Sequence, residues 1–235
     1  LGPPRVERRL PKAILSAFEA EQILKVPDLS TPRGLRDRAI LETLYATGVR
    51  RQELAALKID DIDLENGRLM VRQGKGKRDR LLPLSERACA WIEKYLEESR
   101  FQISRGADDG SLFISHIGKR MHPEQMTKIV RRSIEAAEIE KPGACHLFRH
   151  TLATLMLEGG ADLRYVQAML GHADISTTQI YTRVAIGKLQ EALEKSHPGA
   201  KLGRRAKVAV ESDNVEDPRA AFLDELASED DETTN

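Results

Sequence analysis

Between Ile59 and Leu84 the spacing of the apolar residues changes, and that change limits the fold more than any other feature of the chain. Ahead of it the apolar positions recur at helical intervals. Ser16, with Glu19 three positions on, has the spacing of a capping box at the head of an apolar stripe of Ala17, Phe18, Ile23 and Leu24. Leu35, Ala39, Ile40, Leu44 and Tyr45 form a second stripe, predicted to run from about Gly34 to Thr47 and to end at Gly48, with a short helix from Arg51 to Leu57 beyond. Inside the changed region, Ile62, Leu64, Leu69, Val71, Leu81 and Leu82 are separated by the turn signals Glu65-Asn66-Gly67 and Gln73-Gly74-Lys75-Gly76-Lys77, which predicts three short antiparallel strands. Helical spacing then returns. Ser85 caps a helix to about Ser99 with Trp91 packed in the core, and further helices run from Pro123 to about Ala137, from His146 to Gly159, from Asp162 to Leu170 and from Gly187 to Ser196. The expected fold is mainly α with a small three-stranded antiparallel β-sheet, an α+β arrangement.

A chain of 235 residues with 40% hydrophobic content can bury a sizeable core. No apolar run approaches the roughly 18 residues of a membrane span, and the opening LGPPRVERR lacks the apolar stretch of a signal peptide, so a cytoplasmic location is expected. Leu1 in place of Met suggests a processed or truncated piece. Cys89 and Cys145 are too few for a disulfide framework or a four-ligand metal site. The formal net charge of zero conceals an asymmetry: residues 208–235 hold 10 Asp and Glu against one Arg, which leaves 36 basic and 27 acidic side chains in the body. A basic body with an acidic tail suits nucleic acid, because Lys and Arg beside phosphates release counterions, and it equally suits a solvated surface with a solubilising tail. Residues 201–235 are expected to be disordered, apart from a short amphipathic helix around Ala220 to Leu226.

Six polar residues decide between those alternatives. Arg50, Lys75, His146, Arg149, His172 and Tyr181 are scattered over some 130 positions and suit a phosphodiester. Guanidinium forks grip phosphate oxygens, and a tyrosine can attack phosphorus. Arg50, Arg149 and His172 would stabilise the charge that gathers on the non-bridging oxygens in a pentacovalent state, a role that needs no metal. Tyr181, a phenol with an ordinary pKa of about 10, needs a positive pocket and a base such as His146. The second turn carries Lys75, Lys77, Arg78 and Arg80, a basic hairpin able to approach phosphate closely or simply to protect a sheet edge. On residue type alone His150 competes with His146, and Lys77 with Lys75.

The segments LYATGVRRQEL (residues 44–54), QGKGKRDRLLPL (73–84) and CHLFRHTLATLMLEGGADLRYVQAMLGHADISTTQIYT (145–182) closely resemble the catalytic domain of the tyrosine recombinases, most of all the bacterial Xer-type and the phage or integron-type integrases. The resemblance covers roughly residues 8–200, with the motifs in the family's order and spacing. It implies a catalytic domain of the DNA breaking-rejoining fold over residues 1–200, with an acidic tail over 201–235. Family members usually carry an N-terminal helical domain that closes over the other DNA face, and this chain is expected to lack it.

By residue, the resemblance implies that Arg50 is the first catalytic arginine, oriented by Glu53. Lys75 is the general acid that protonates the leaving 5′ oxygen, and His146 and Arg149 form the His-x-x-Arg pair. His172 hydrogen-bonds a phosphate oxygen and Tyr181 is the nucleophile. Lys77, Arg78 and Arg80 are expected to bind DNA. No cofactor is implied. The implied partner is double-stranded DNA, with a homo- or hetero-tetramer on synapsed sites held through the helix 187–196, in a nucleoid-associated cytoplasmic protein. The implied function is site-specific recombination through a covalent 3′-phosphotyrosine, in DNA integration or dimer resolution. Two alternatives differ in class: relaxation of DNA in the manner of a type IB topoisomerase, and a non-catalytic DNA-binding module.

Overall fold

The computed structural model describes residues 13–72, 79–104, 108–171 and 183–200. In it the chain forms α1 (Ala17–Lys25), α2 (Pro32–Thr47), α3 (Arg51–Ala56), a 3-10 turn (Ile59–Asp61), β1 (Ile62–Asp63), β2 (Arg68–Val71), β3 (Arg80–Pro83), α4 (Glu86–Tyr95), α5 (Phe101–Ser104), α6 (Pro123–Ala136), α7 (Cys145–Glu158), α8 (Leu163–Leu170) and α9 (Arg183–Ser196). The mainly helical α+β fold with one small sheet is the expected one. Among the described residues, no helix is long and apolar enough to cross a membrane.

Local chemistry sets the helix ends. Ser16 Oγ accepts the Glu19 N–H at 3.2 Å while Glu19 Oε2 accepts the Ser16 N–H at 2.6 Å, so two of the donors orphaned at the start of α1 are satisfied reciprocally. Thr31 Oγ1 accepts the Gly34 N–H at 3.0 Å and Pro32 begins α2, where its missing N–H costs nothing. α2 ends at Gly48 in the left-handed region, φ 59° and ψ 24°, and α8 ends at Gly171 with φ 71°.

α2 is buried almost all round and forms the axis of the molecule, with α4 and α7 packed along it. Burying that helix also buries its charges, and these are paired. Glu42 accepts from Arg38 at 2.6 Å and from Arg87 of α4 at 2.9 Å, while Arg38 also donates to the Leu24 carbonyl at 2.5 Å. Arg38 lies 4.5 Å over the ring of Trp91. Trp91 is therefore not the core anchor predicted; it is half-buried and lies beneath a cation. The helix expected to end near Ser99 runs on through a π-helical turn, Leu96–Arg100, into α5. That turn leads Arg100 inward, to Asp108 and to the Ser111 carbonyl at 2.6 Å.

The sheet has the order β1-β2-β3 and is antiparallel throughout, with Leu69 opposite Leu82 and Val71 opposite Arg80. Leu69, Val71 and Leu82 face the core. α9 starts earlier than the predicted Gly187 and lays Ile186, Leu189 and Leu193 against β3, α7 and α8 of its own chain. Beyond it, His197 packs edge-on against Tyr45 of α2, ring centroids 4.4 Å apart. The tail expected to be disordered, with its helix around Ala220 to Leu226, lies outside the described residues, as does the segment around Ser176.

Candidate active site

Arg50 owes its place to the glycine that ends α2. A Cβ on Gly48 would come within 2.8 Å of Leu152 Cδ2 on α7 and 2.9 Å of Leu170 Cδ2 on α8, so only glycine lets these three helices meet so closely. Val49 is buried, and Arg50 follows as the N-cap of α3 with an extended backbone, φ −67° and ψ 150°. Glu53, one turn on, accepts the Arg50 N–H at 2.8 Å and lies 3.5 Å from Arg50 Nη1.

The stronger grip on Glu53 comes from elsewhere. Arg80, at the start of β3, donates to both carboxylate oxygens at 2.7 Å each, a bidentate fork. Burial by itself would raise the Glu53 pKa, but the Arg80 fork, helped by the Arg50 N–H, brings it down to about 2. Arg80 was expected to project with Lys77 and Arg78. It is instead only 4% exposed, and its guanidinium is committed to Glu53. The signal was present in the sequence: Arg80 and Leu82 stand two apart on a strand, and Leu82 points inward.

Arg149 and His146 lie in the first turns of α7. His146 is half-buried, whereas His150, one turn on, is 5% exposed. Arg149 is 2% exposed, and its guanidinium spans two chain turns, donating to the Gly48 carbonyl at 2.9 Å and to the Leu170 carbonyl at 2.7 Å. Two carbonyls that end α2 and α8 thus fix the direction of a buried positive group, an arrangement already oriented before any anion arrives. Cys145 is buried, which pushes its thiol up to about 11 and keeps it protonated at neutral pH. No group of three or more His, Cys, Asp or Glu side chains able to hold a metal occurs among the described residues.

The described residues thus bring together Arg50, Glu53, Arg80 and Arg149 through α3, β3 and the ends of α2 and α8. Lys75, Lys77, Arg78, His172 and Tyr181 lie outside the described residues. His172 follows Gly171 directly in the chain, and Lys75 precedes β3 by five residues.

Residues 13–187 match the phage integrase family. The chain belongs to that family. Among its phage integrase relatives, tyrosine recombinase XerC 2 of Ralstonia nicotianae is 46% identical over 223 residues, 95% of this chain and 63% of the relative. Tyrosine recombinase XerD of Pseudomonas putida is 43% identical over 195 residues, 83% of this chain and 65% of the relative. The chain therefore spans just under two thirds of the length of these curated relatives. Among solved structures, the XerA recombinase is similar with a TM-score of 0.63 and 33% identity, covering 80% of this chain and 66% of that one. The XerH site-specific recombinase bound to palindromic difH substrate, a post-cleavage complex, is similar with a TM-score of 0.60 and 30% identity, covering 79% of this chain and 53% of that one.

Proposed function

We propose that this chain is the catalytic part of a site-specific DNA recombinase that cuts and rejoins duplex DNA through a 3′-phosphotyrosine. What supports the reading most is Arg149, which joins the motif segments containing Arg50, Arg149 and His172 by holding the carbonyls of Gly48 and Leu170. Similarity to tyrosine recombinases, including one in complex with its DNA substrate, supports it further.

In this mechanism Arg50, Arg149 and His172 face the non-bridging oxygens of the scissile phosphate and stabilise their growing charge. Tyr181 loses its proton to His146 as its oxygen bonds to phosphorus, and the bond to the 5′ oxygen breaks. Lys75 gives that oxygen a proton, freeing a 5′-hydroxyl. One phosphoester replaces another, so the 5′-hydroxyl of a second strand can reverse the step without ATP. Lys77 and Arg78 hold the backbone next to Lys75. The protein acts on DNA in the cytoplasm, at the nucleoid, as a tetramer on synapsed sites. The helix 187–196 joins the protomers, and because its apolar face is covered by its own chain, joining requires that face to be released and covered again by a neighbour.

The test is trapping on nicked suicide duplexes drawn from the DNA flanking the protein's own coding sequence. A denaturant-resistant protein–DNA band lost in Tyr181→Phe, with duplex binding retained, is the expected result. Binding by both forms with no band in either would identify a DNA-binding module instead.

A further inference from the structure

The bonds around Glu53 and Arg149 close into a ring. Arg80 holds Glu53 by both oxygens, and Glu53 holds the backbone of Arg50. Two residues before Arg50, the Gly48 carbonyl accepts from Arg149, whose other arm takes the Leu170 carbonyl. The neighbouring carbonyl, that of Met169, lies 3.4 Å from Arg80 Nε and returns the ring to its start. Gly171 lies against the same guanidinium: a Cβ there would come within 3.1 Å of Arg80 Nε and 3.2 Å of its Cζ, at a φ of 71° that already disfavours other residues. Arg80 therefore touches α3, which begins next to Arg50, and the end of α8, which His172 follows, from a strand that follows Lys75.

A buried ion pair is a poor device for stability alone, since an apolar pair of the same volume often serves as well. What the fork adds is direction. A planar guanidinium fixes two oxygens at once and a third acceptor to one side, which a lysine cannot do. We infer that Arg80 is a positioning residue for phosphoryl transfer, setting the Arg50 segment and the turn before His172 at a fixed separation across the scissile phosphate. The inference rests on the recombinase reading. It assigns Arg80 no contact with DNA.

The test uses Arg80→Met and Arg80→Lys in the whole chain, beside wild type, on two suicide duplexes. One carries the natural phosphodiester and the other a methylphosphonate at the same scissile position, whose missing charged oxygen removes the demand on Arg50 and Arg149. Duplex affinity is read by fluorescence anisotropy and adduct formation by single-turnover kinetics. Both variants are expected to bind within about 2-fold of wild type and to cleave the phosphodiester roughly 100-fold more slowly, the scale of loss that a displacement of about 1 Å produces. On the methylphosphonate the deficit is expected to shrink to a few-fold, with no rescue by lysine on the phosphodiester. Unchanged rates, or the same loss on both duplexes, would overturn the inference, because a merely structural defect does not distinguish the substrates. Should Arg80→Met fail to fold, Arg80→Lys retains the buried charge and carries the same comparison. Wild type forming no adduct on either duplex overturns the recombinase reading and the inference with it; wild-type adduct with unaffected variants overturns the inference alone.

Discussion

Glu53 is the residue that Arg50 and Arg80 share at the candidate site. It receives two N–H groups from Arg80 and one from the backbone of Arg50, and a carboxylate buried among such donors stays ionised far below its ordinary range. Its pKa falls from 4.5 to about 2, so its contribution to stability is fully present above about pH 4.5 and is lost as the pH falls toward 2. Glu53→Gln leaves Arg80 buried opposite a neutral amide. We expect it to lower stability at pH 7 by about 3 kcal/mol, measured by urea denaturation, with the gap to wild type narrowing below pH 4.5. A constant gap down to pH 3 would contradict the assignment of that charge.

At the scale of elements, what was legible in the sequence was what local chemistry decides. The capping box at Ser16, the stop at Gly48, the strands around Asn66 and the ends of α7 and α8 were readable because each depends on residues within a few positions. Arg80 was misread because its charge was weighed more heavily than its alternation with Leu82. Trp91 was misread because its partner, Arg38, lies 53 positions away on α2, where no spacing rule reaches. The π-helical turn at Leu96–Arg100 has no composition signal, and Arg149 finds its two carbonyls 101 and 21 residues away. The residue types of the candidate site could be read, but the bonds that orient them could not. Gly48 tests the element scale directly. Gly48→Ala forces a side chain into the left-handed region and against Leu152 and Leu170, and we expect a loss of about 2 kcal/mol in thermal or urea unfolding. A loss below a few tenths of a kcal/mol would mean that α2, α7 and α8 do not meet there as closely as described.

Across the whole molecule, residues 197–200, just beyond α9, are fastened back onto the central helix. His197 is buried against Tyr45, and a Cβ on Gly199 would fall 2.5 Å from Tyr45 Cε1, so this segment lies flat on α2. Burial, with the Arg87 charge nearby, lowers the His197 pKa to about 3. Its unfolded value is near 6.5, so the neutral ring contributes stability above that pH, and the contribution is lost progressively as the pH falls from 6.5 toward 3. We expect the protein to lose about 2 kcal/mol from this group between pH 6.5 and pH 5, and His197→Phe to flatten that part of the profile. A wild-type profile already flat over this range would contradict the docking of the segment. The central claim, that these fastenings hold a tyrosine-based cutting site, is tested most directly by digesting the trapped protein–DNA adduct and identifying the nucleotide-bearing peptide by mass spectrometry. The account predicts the modification on Tyr181; a nucleotide on any other residue, or duplex binding without any adduct, would contradict it.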